Sequence, residues 1–246
     1  MKTTTVLAPT QPSSFYQVKP KDLDKEFGEL QRMAEADVKF QAGLEPNNVH
    51  PQVVYTGYSG GQYADTALSS RIDALVFEPK NTKVHFIVTG HGSPGVQGKI
   101  GMGDVAVFDH RLTAAEFVQV LSDAGIKRLK KLDLHFTFRC CNSAYVPLAQ
   151  WNQDLQKANL SIANDSLIGA FSRSMSRTQR LDVTVIGFRG YYFPDVKGPK
   201  LGGKGGKKKF PLADGEVTIK HNGEVEFTDW AKHVKIQDSG LDSLFA

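Results

Sequence analysis

Two stretches of the chain end an apolar run on a side chain capable of covalent or acid–base chemistry. Lys83–Thr89, KVHFIVT, leads into Gly90-His91-Gly92, and residues 132–138, LDLHFTF, lead into Arg139-Cys140-Cys141-Asn142-Ser143. A thiol becomes an effective nucleophile when an imidazole stands close enough to take its proton. In an open α/β sheet, reactive groups gather outside the carboxyl ends of the strands. Two neighbouring parallel strands would therefore bring His91 and Cys141 to one edge, and the intervening chain has room for one crossover helix. Acyl transfer also needs N–H donors for an oxyanion, and the amides of Gly92 and Cys141 are the candidates. Cys140, next in the chain, is the alternative nucleophile. Adjacent cysteines pair only as a strained vicinal disulfide, so both are read as thiols in a reducing compartment.

A competing nucleophile is Ser59. Gly57-Tyr58-Ser59-Gly60-Gly61 fits the G-x-S-x-G elbow of serine hydrolases, although few strands can precede it. The cysteines lack C-x₂-C spacing, no H-E-x-x-H occurs, and neither a Walker A nor a dinucleotide fingerprint is present, so no metal or cofactor is expected. The other histidines, His50, His85, His110, His135, His221 and His233, are read as structural.

The elements that must position these groups alternate in type. Apolar residues at helical spacing predict a helix over 22–42. Strands are predicted over 51–58, 72–78, 83–89, 132–138 and 181–188, and a helix over 161–176. Thr113-Ala114-Ala115-Glu116 reads as a capping box opening another helix. Residues 216–220 and 224–228 flank an Asn222-Gly223 turn and predict a C-terminal hairpin. Strands alternating with helices imply right-handed crossovers and a mostly parallel sheet covered on both faces. Residues 1–20, rich in Thr, Ser and Pro, are read as a flexible arm, and 21–246 as one domain. The glycine-rich stretch after His91 is read as a mobile loop at the site's border, and residues 196–210 as a Lys- and Gly-rich loop without regular structure.

With 40% hydrophobic and 23% charged residues the chain is neither disordered nor a disulfide scaffold. The net charge of +4 comes from Lys197, Lys200, Lys204, Lys207, Lys208 and Lys209; without them the balance is slightly acidic, so nucleic-acid binding is not expected. No apolar run is long enough for a membrane span, and the first residues lack the apolar core of a Sec-type signal. A cytoplasmic protein is expected, or one delivered by a non-Sec secretion system.

An apolar strand ending in His-Gly, followed by another ending in Cys with a small residue two positions on, resembles the caspase-like (clan CD) cysteine peptidases. That group includes caspases, legumains, gingipains, clostripain, separase and the self-processing domains of large bacterial toxins. The interval of about 50 residues between His and Cys also agrees with the caspase pattern. The resemblance covers about 60 residues directly. It implies a caspase-like three-layer α/β/α sandwich and a cysteine endopeptidase working through a Cys-His dyad and a thioester acyl-enzyme. Such an enzyme is self-processing or acts as a bacterial effector or toxin on protein or peptide substrates. His91 matches the family histidine, Cys141 the nucleophile, Gly92 and Cys141 the oxyanion amides, and Ser143 the small residue. Arg139-Cys140 stands where caspases have Gln-Ala; Cys141 is preferred over Cys140 because Cys-Asn-Ser resembles the family's Cys-x-Gly/Ser. The resemblance further implies that the stretch after the next strand, with Arg189, Tyr191 and Tyr192, borders the substrate pocket. No cofactor is required, and the lysine loop is a candidate site for an anionic activator such as inositol hexakisphosphate. The alternative is a caspase-like fold without peptidase activity, serving as a binding or effector module.

Overall fold

The structure is a computed structural model, and it describes residues 1–13, 24–63, 65–93, 98–102, 111–146, 154–202 and 209–230. Its centre is a mixed, mostly parallel sheet flanked by helices. Five strands run parallel: β1 (Lys2–Ala8), β2 (Val54–Tyr55), β5 (Lys83–Thr89), β9 (Asp133–Arg139) and β10 (Thr184–Phe188). Two antiparallel strands, β14 (Glu216–Ile219) and β15 (Val225–Phe227), complete the order β15-β14-β10-β9-β5-β1-β2. The last two are the expected hairpin, with Gly223 at φ 82° in its turn.

Alternation along the central strands assigns each face its layer. On β5, Val84, Phe86 and Val88 point to one side, and on β9 so do Leu134, Phe136 and Phe138. That face is covered by α2 (Ala67–Leu75), α3 (Ala114–Asp123) and α5 (Leu167–Ser174). Phe171 from α5 sits among Phe117, Phe136 and Phe138, with ring centroids 4.9–5.8 Å away. The opposite face belongs to α1 (Asp24–Leu44), whose Phe27, Leu30, Ala34 and Val38 pack on Val6, Ala8 and Ile87. A further helix, α4 (Leu155–Asp165), ends at Ser166, whose hydroxyl caps α5 by accepting from Gly169 N–H at 3.0 Å. The single helix expected over 161–176 is thus two. The capping box at α3 forms as expected: Glu116 N–H donates to Thr113 Oγ1 at 3.2 Å, and Thr113 N–H to Glu116 Oε2 at 2.8 Å.

Four further expectations are corrected. Residues 2–8 are no flexible arm but β1, an interior strand between β5 and β2; three threonines make KTTTVLA look polar, yet β-branched Thr suits a strand and Thr4 and Thr5 are fully buried. Residues 72–78 are no strand, because Leu68, Ile72 and Leu75 share one face of α2. The stretch after His91 is not wholly a loop: β7 (Lys99–Gly101) pairs with β6 (His91–Gly92) and with β8 (Arg111–Thr113). Within 196–210, β12 (Lys200–Gly202) pairs with β11 (Tyr191–Phe193) and with β13 (Lys209–Pro211). Lys204, Lys207 and Lys208, the centre of the lysine cluster, lie outside the described residues, as do residues 14–20 and 94–97. Among the described residues no helix is long and apolar enough to cross a membrane.

The α1 face of the sheet carries a polar stripe that includes His85 and His135, which face each other across β5 and β9. His85 Nε2 lies 2.8 Å from Thr137 Oγ1. Burial pushes its pKa down to about 3, and Lys2, Arg139, His135 and Lys83 push in the same direction. His85 is therefore neutral when folded and takes a proton below about pH 6.5 when unfolded. The unfolded state then binds more protons, so stability falls with falling pH from about 6.5 toward about 3. We predict that His85→Gln flattens this limb by up to about 1.4 kcal/mol per pH unit, measured by urea unfolding across that range.

Candidate active site

Strands β5, β9 and β10 are neighbours, in register from Lys83 opposite Asp133 to Thr89 opposite Arg139. Their carboxyl ends release His91, Cys141 and the Arg189–Tyr192 stretch at one edge. The His91-Gly92 backbone lies directly against the cysteines. A Cβ on Gly92 would fall 2.5 Å from the Cys141 carbonyl oxygen and 2.8 Å from Cys140 Sγ, so only glycine fits. Ser93 N–H donates to Lys99 O at 3.0 Å, and the alternation of an antiparallel ladder then turns the Gly92 N–H away from β7.

The turn after β9 is tied to the end of β10. Asn142 adopts a left-handed conformation, φ 55°, which its short amide side chain tolerates. Its N–H donates to Gly190 O at 2.8 Å, and its Oδ1 accepts from Gly190 N–H at 3.2 Å. Ser143, fully buried, donates to Phe138 O at 3.2 Å and accepts from Phe188 N–H at 2.9 Å. The small residue expected at 143 thus has a local reason: its hydroxyl bridges two strand ends.

The two thiols differ. Cys140 is completely buried, and desolvation, aided by Cys141, pushes its pKa far up. Cys141 is half-buried, and its Sγ accepts from Tyr192 N–H at 3.4 Å. The His91 side chain is 16% exposed, with Nε2 3.6 Å from Glu29 Oε1 on α1.

Beneath this edge lies a polar cluster that sequence reasoning missed. The Asp37 carboxylate on α1, 1% exposed, accepts from Thr89 Oγ1 at 2.5 Å, from Arg139 Nη1 at 3.0 Å and from the Tyr192 hydroxyl. Arg139 also donates to Gln41 Oε1 at 3.1 Å and lies over the Phe40 ring. Burial, then Asp37, raises the Tyr192 pKa, so its phenol stays protonated. Thr89 and Arg139 each precede a candidate catalytic residue by two positions. One α1 side chain therefore holds the ends of both strands.

Other expected site residues are placed differently. Arg189 is 1% exposed, with its guanidinium over the Tyr145 ring, and Tyr192 commits its hydroxyl to Asp37. Two of the three side chains expected to border a substrate pocket thus face inward, while Tyr191 is half-buried. Ser59 ends β3 (Tyr58–Ser59), which turns through Gly60-Gly61 into β4 (Gln62–Tyr63). A hairpin is not the strand-to-helix turn of a nucleophile elbow. Ser59 instead lines a groove of about 560 Å³ beside α1, with Gln31, Glu35 and Tyr55, away from His91 and Cys141. Among the described residues no group of three or more His, Cys, Asp or Glu could hold a metal.

Comparison with known proteins finds no family model that matches the chain and no curated protein that matches it. Among solved structures the chain is similar to protein GSU0716 from Geobacter sulfurreducens, at 15% identity over 81% of this chain and 75% of that one, with a TM-score of 0.34. A likeness that distant bears no functional argument.

Removing one partner of a buried ion pair strands the other. We predict that Asp37→Ala lowers stability by about 3–5 kcal/mol, and that Asp37→Leu with Arg139→Met recovers much of it. Urea unfolding of wild type, Asp37→Ala and the Asp37→Leu/Arg139→Met double variant checks this.

Proposed function

We propose that this chain is a caspase-like cysteine endopeptidase in which Cys141 is the nucleophile and His91 the general base and acid. The observation that carries the reading is the glycine-only contact of the His91-Gly92 backbone with Cys140-Cys141, at the carboxyl edge of adjacent parallel strands. Cys141 is favoured over Cys140 because a half-buried thiol can meet a substrate and a fully buried one with a strongly raised pKa cannot.

In the proposed reaction Sγ of Cys141 attacks the scissile carbonyl carbon, and the carbonyl π pair moves onto oxygen. The thiol proton passes to His91, which delivers it to the leaving amine as the oxyanion pair re-forms the carbonyl and the C–N bond breaks, leaving the thioester acyl-enzyme. Gly92 N–H, turned away from β7, and Cys141 N–H are the proposed oxyanion donors. The Tyr192 N–H at Sγ favours the thiolate before attack and again as leaving group. Water, giving its proton to His91, then hydrolyses the thioester and returns the thiol. Substrates are proteins or peptides. An anionic activator at the lysine loop remains part of the proposal for Lys197, Lys200 and Lys209; Lys209 Nζ stands 5.3 Å from the Phe193 ring centroid.

The test is alkylation of the native protein with limiting iodoacetamide, mapped by mass spectrometry. Cys141 should label rapidly near neutral pH and Cys140 should not, with His91→Ala slowing Cys141 by at least about tenfold. An inert Cys141 would favour the alternative, a caspase-like binding or effector module without peptidase activity.

A further inference from the structure

We infer that Glu29 is a positioning residue for His91, holding the imidazole with its proton on Nε2 so that Nδ1 is the basic nitrogen. This rests on the proposed Cys-His mechanism and adds a third member to it.

Helix α1 touches the catalytic edge at two levels. Asp37 holds Thr89, the last residue of β5, and Glu29 faces His91, two residues further along the same strand path. Eight residues separate Glu29 from Asp37, a little over two helical turns or about 12 Å. Because Asp37 is also locked to Arg139 and Tyr192, the helix is fixed relative to both strand ends, and so is the backbone that carries Glu29. The Glu29 side chain is 55% exposed, whereas the His91 ring is largely enclosed.

A carboxylate is an acceptor only, so the nitrogen facing it is favoured as the one bearing hydrogen. The separation of 3.6 Å is an ion-pair distance rather than a hydrogen bond. Such contacts in substrate-free enzymes are often long and tighten when substrate binds. The gain is that of a partly exposed pair, about two- to fivefold.

The experiment uses the full ¹⁵N-labelled chain at mildly alkaline pH. Two-bond ¹H–¹⁵N correlation spectra report the tautomer of His91 in wild type, Glu29→Ala, Glu29→Gln and Glu35→Gln. The Nε2–H form should dominate in wild type and give way to a mixture in Glu29→Ala. Glu29→Gln, whose amide oxygen still accepts, should restore it in part, and Glu35→Gln, from the same helix, should leave it unchanged. Cys141 alkylation should slow about two- to fivefold in Glu29→Ala without change in the thermal midpoint. Equal tautomer populations in wild type and Glu29→Ala, or an equal change in Glu35→Gln, would overturn the inference. An inert wild-type Cys141 overturns the peptidase reading instead, while the tautomer still reports on Glu29 alone.

Discussion

A carboxylate taken out of water must be surrounded by donors, and Asp37 meets that requirement with a hydroxyl, a guanidinium and a phenol from three different strands. Thr89 closes β5, Arg139 closes β9, and Tyr192 stands in β11 beyond the end of β10. The donors reach one point only if the three carboxyl ends are level and α1 lies across them. Hydrophobic packing of α1 on Val6, Ala8 and Ile87 tolerates small slides of a helix over a sheet. The buried charge does not, because each displacement leaves a donor or an acceptor unpaired in a low-dielectric interior.

Above that cluster, spacing at the edge is set by backbone rather than side chains. Gly92 brings two chain segments to a separation no other residue allows, and Asn142 and Ser143 tie the turn after Cys141 to the end of β10. A thiol on this turn has little freedom to drift from the strand carrying the imidazole. The same packing separates the paired cysteines: alternation along the chain sends Cys140 into the core and leaves Cys141 half-buried at the edge. Holding reacting groups in place before a substrate arrives is the way a positioned site lowers an activation barrier.

Much of this architecture is legible in sequence where the signal is local. Lys83–Thr89 reads correctly because a parallel strand buried on both faces is a nearly continuous apolar run, and the Thr113–Glu116 capping box and the Asn222-Gly223 turn each need only a few adjacent residues. Failures occur where partners are remote. Lys2–Ala8 looks like an arm because its threonines are polar in isolation, and only their place between β5 and β2 makes them interior. Residues 72–78 look like a strand because Ala74, Leu75, Val76 and Phe77 form a short apolar run, which periodicity alone cannot tell from the end of a helix. Asp37 looks like any acidic residue on an amphipathic helix, since its partners lie 52, 102 and 155 positions away. Arg189 and Tyr192 follow a predicted strand as expected, but the direction of their side chains depends on Tyr145 and Asp37, which no local pattern connects to them.

The central claim is that Cys141, and not its neighbour, forms the bond to substrate. The most direct measurement is hydrolysis of a fluorogenic peptide library by wild type, Cys141→Ala and Cys140→Ala at equal concentration. The account predicts cleavage by wild type that is abolished in Cys141→Ala and retained in Cys140→Ala, whose buried thiol contributes packing alone. Activity that survives loss of Cys141, or cleavage absent in all three proteins, would contradict it.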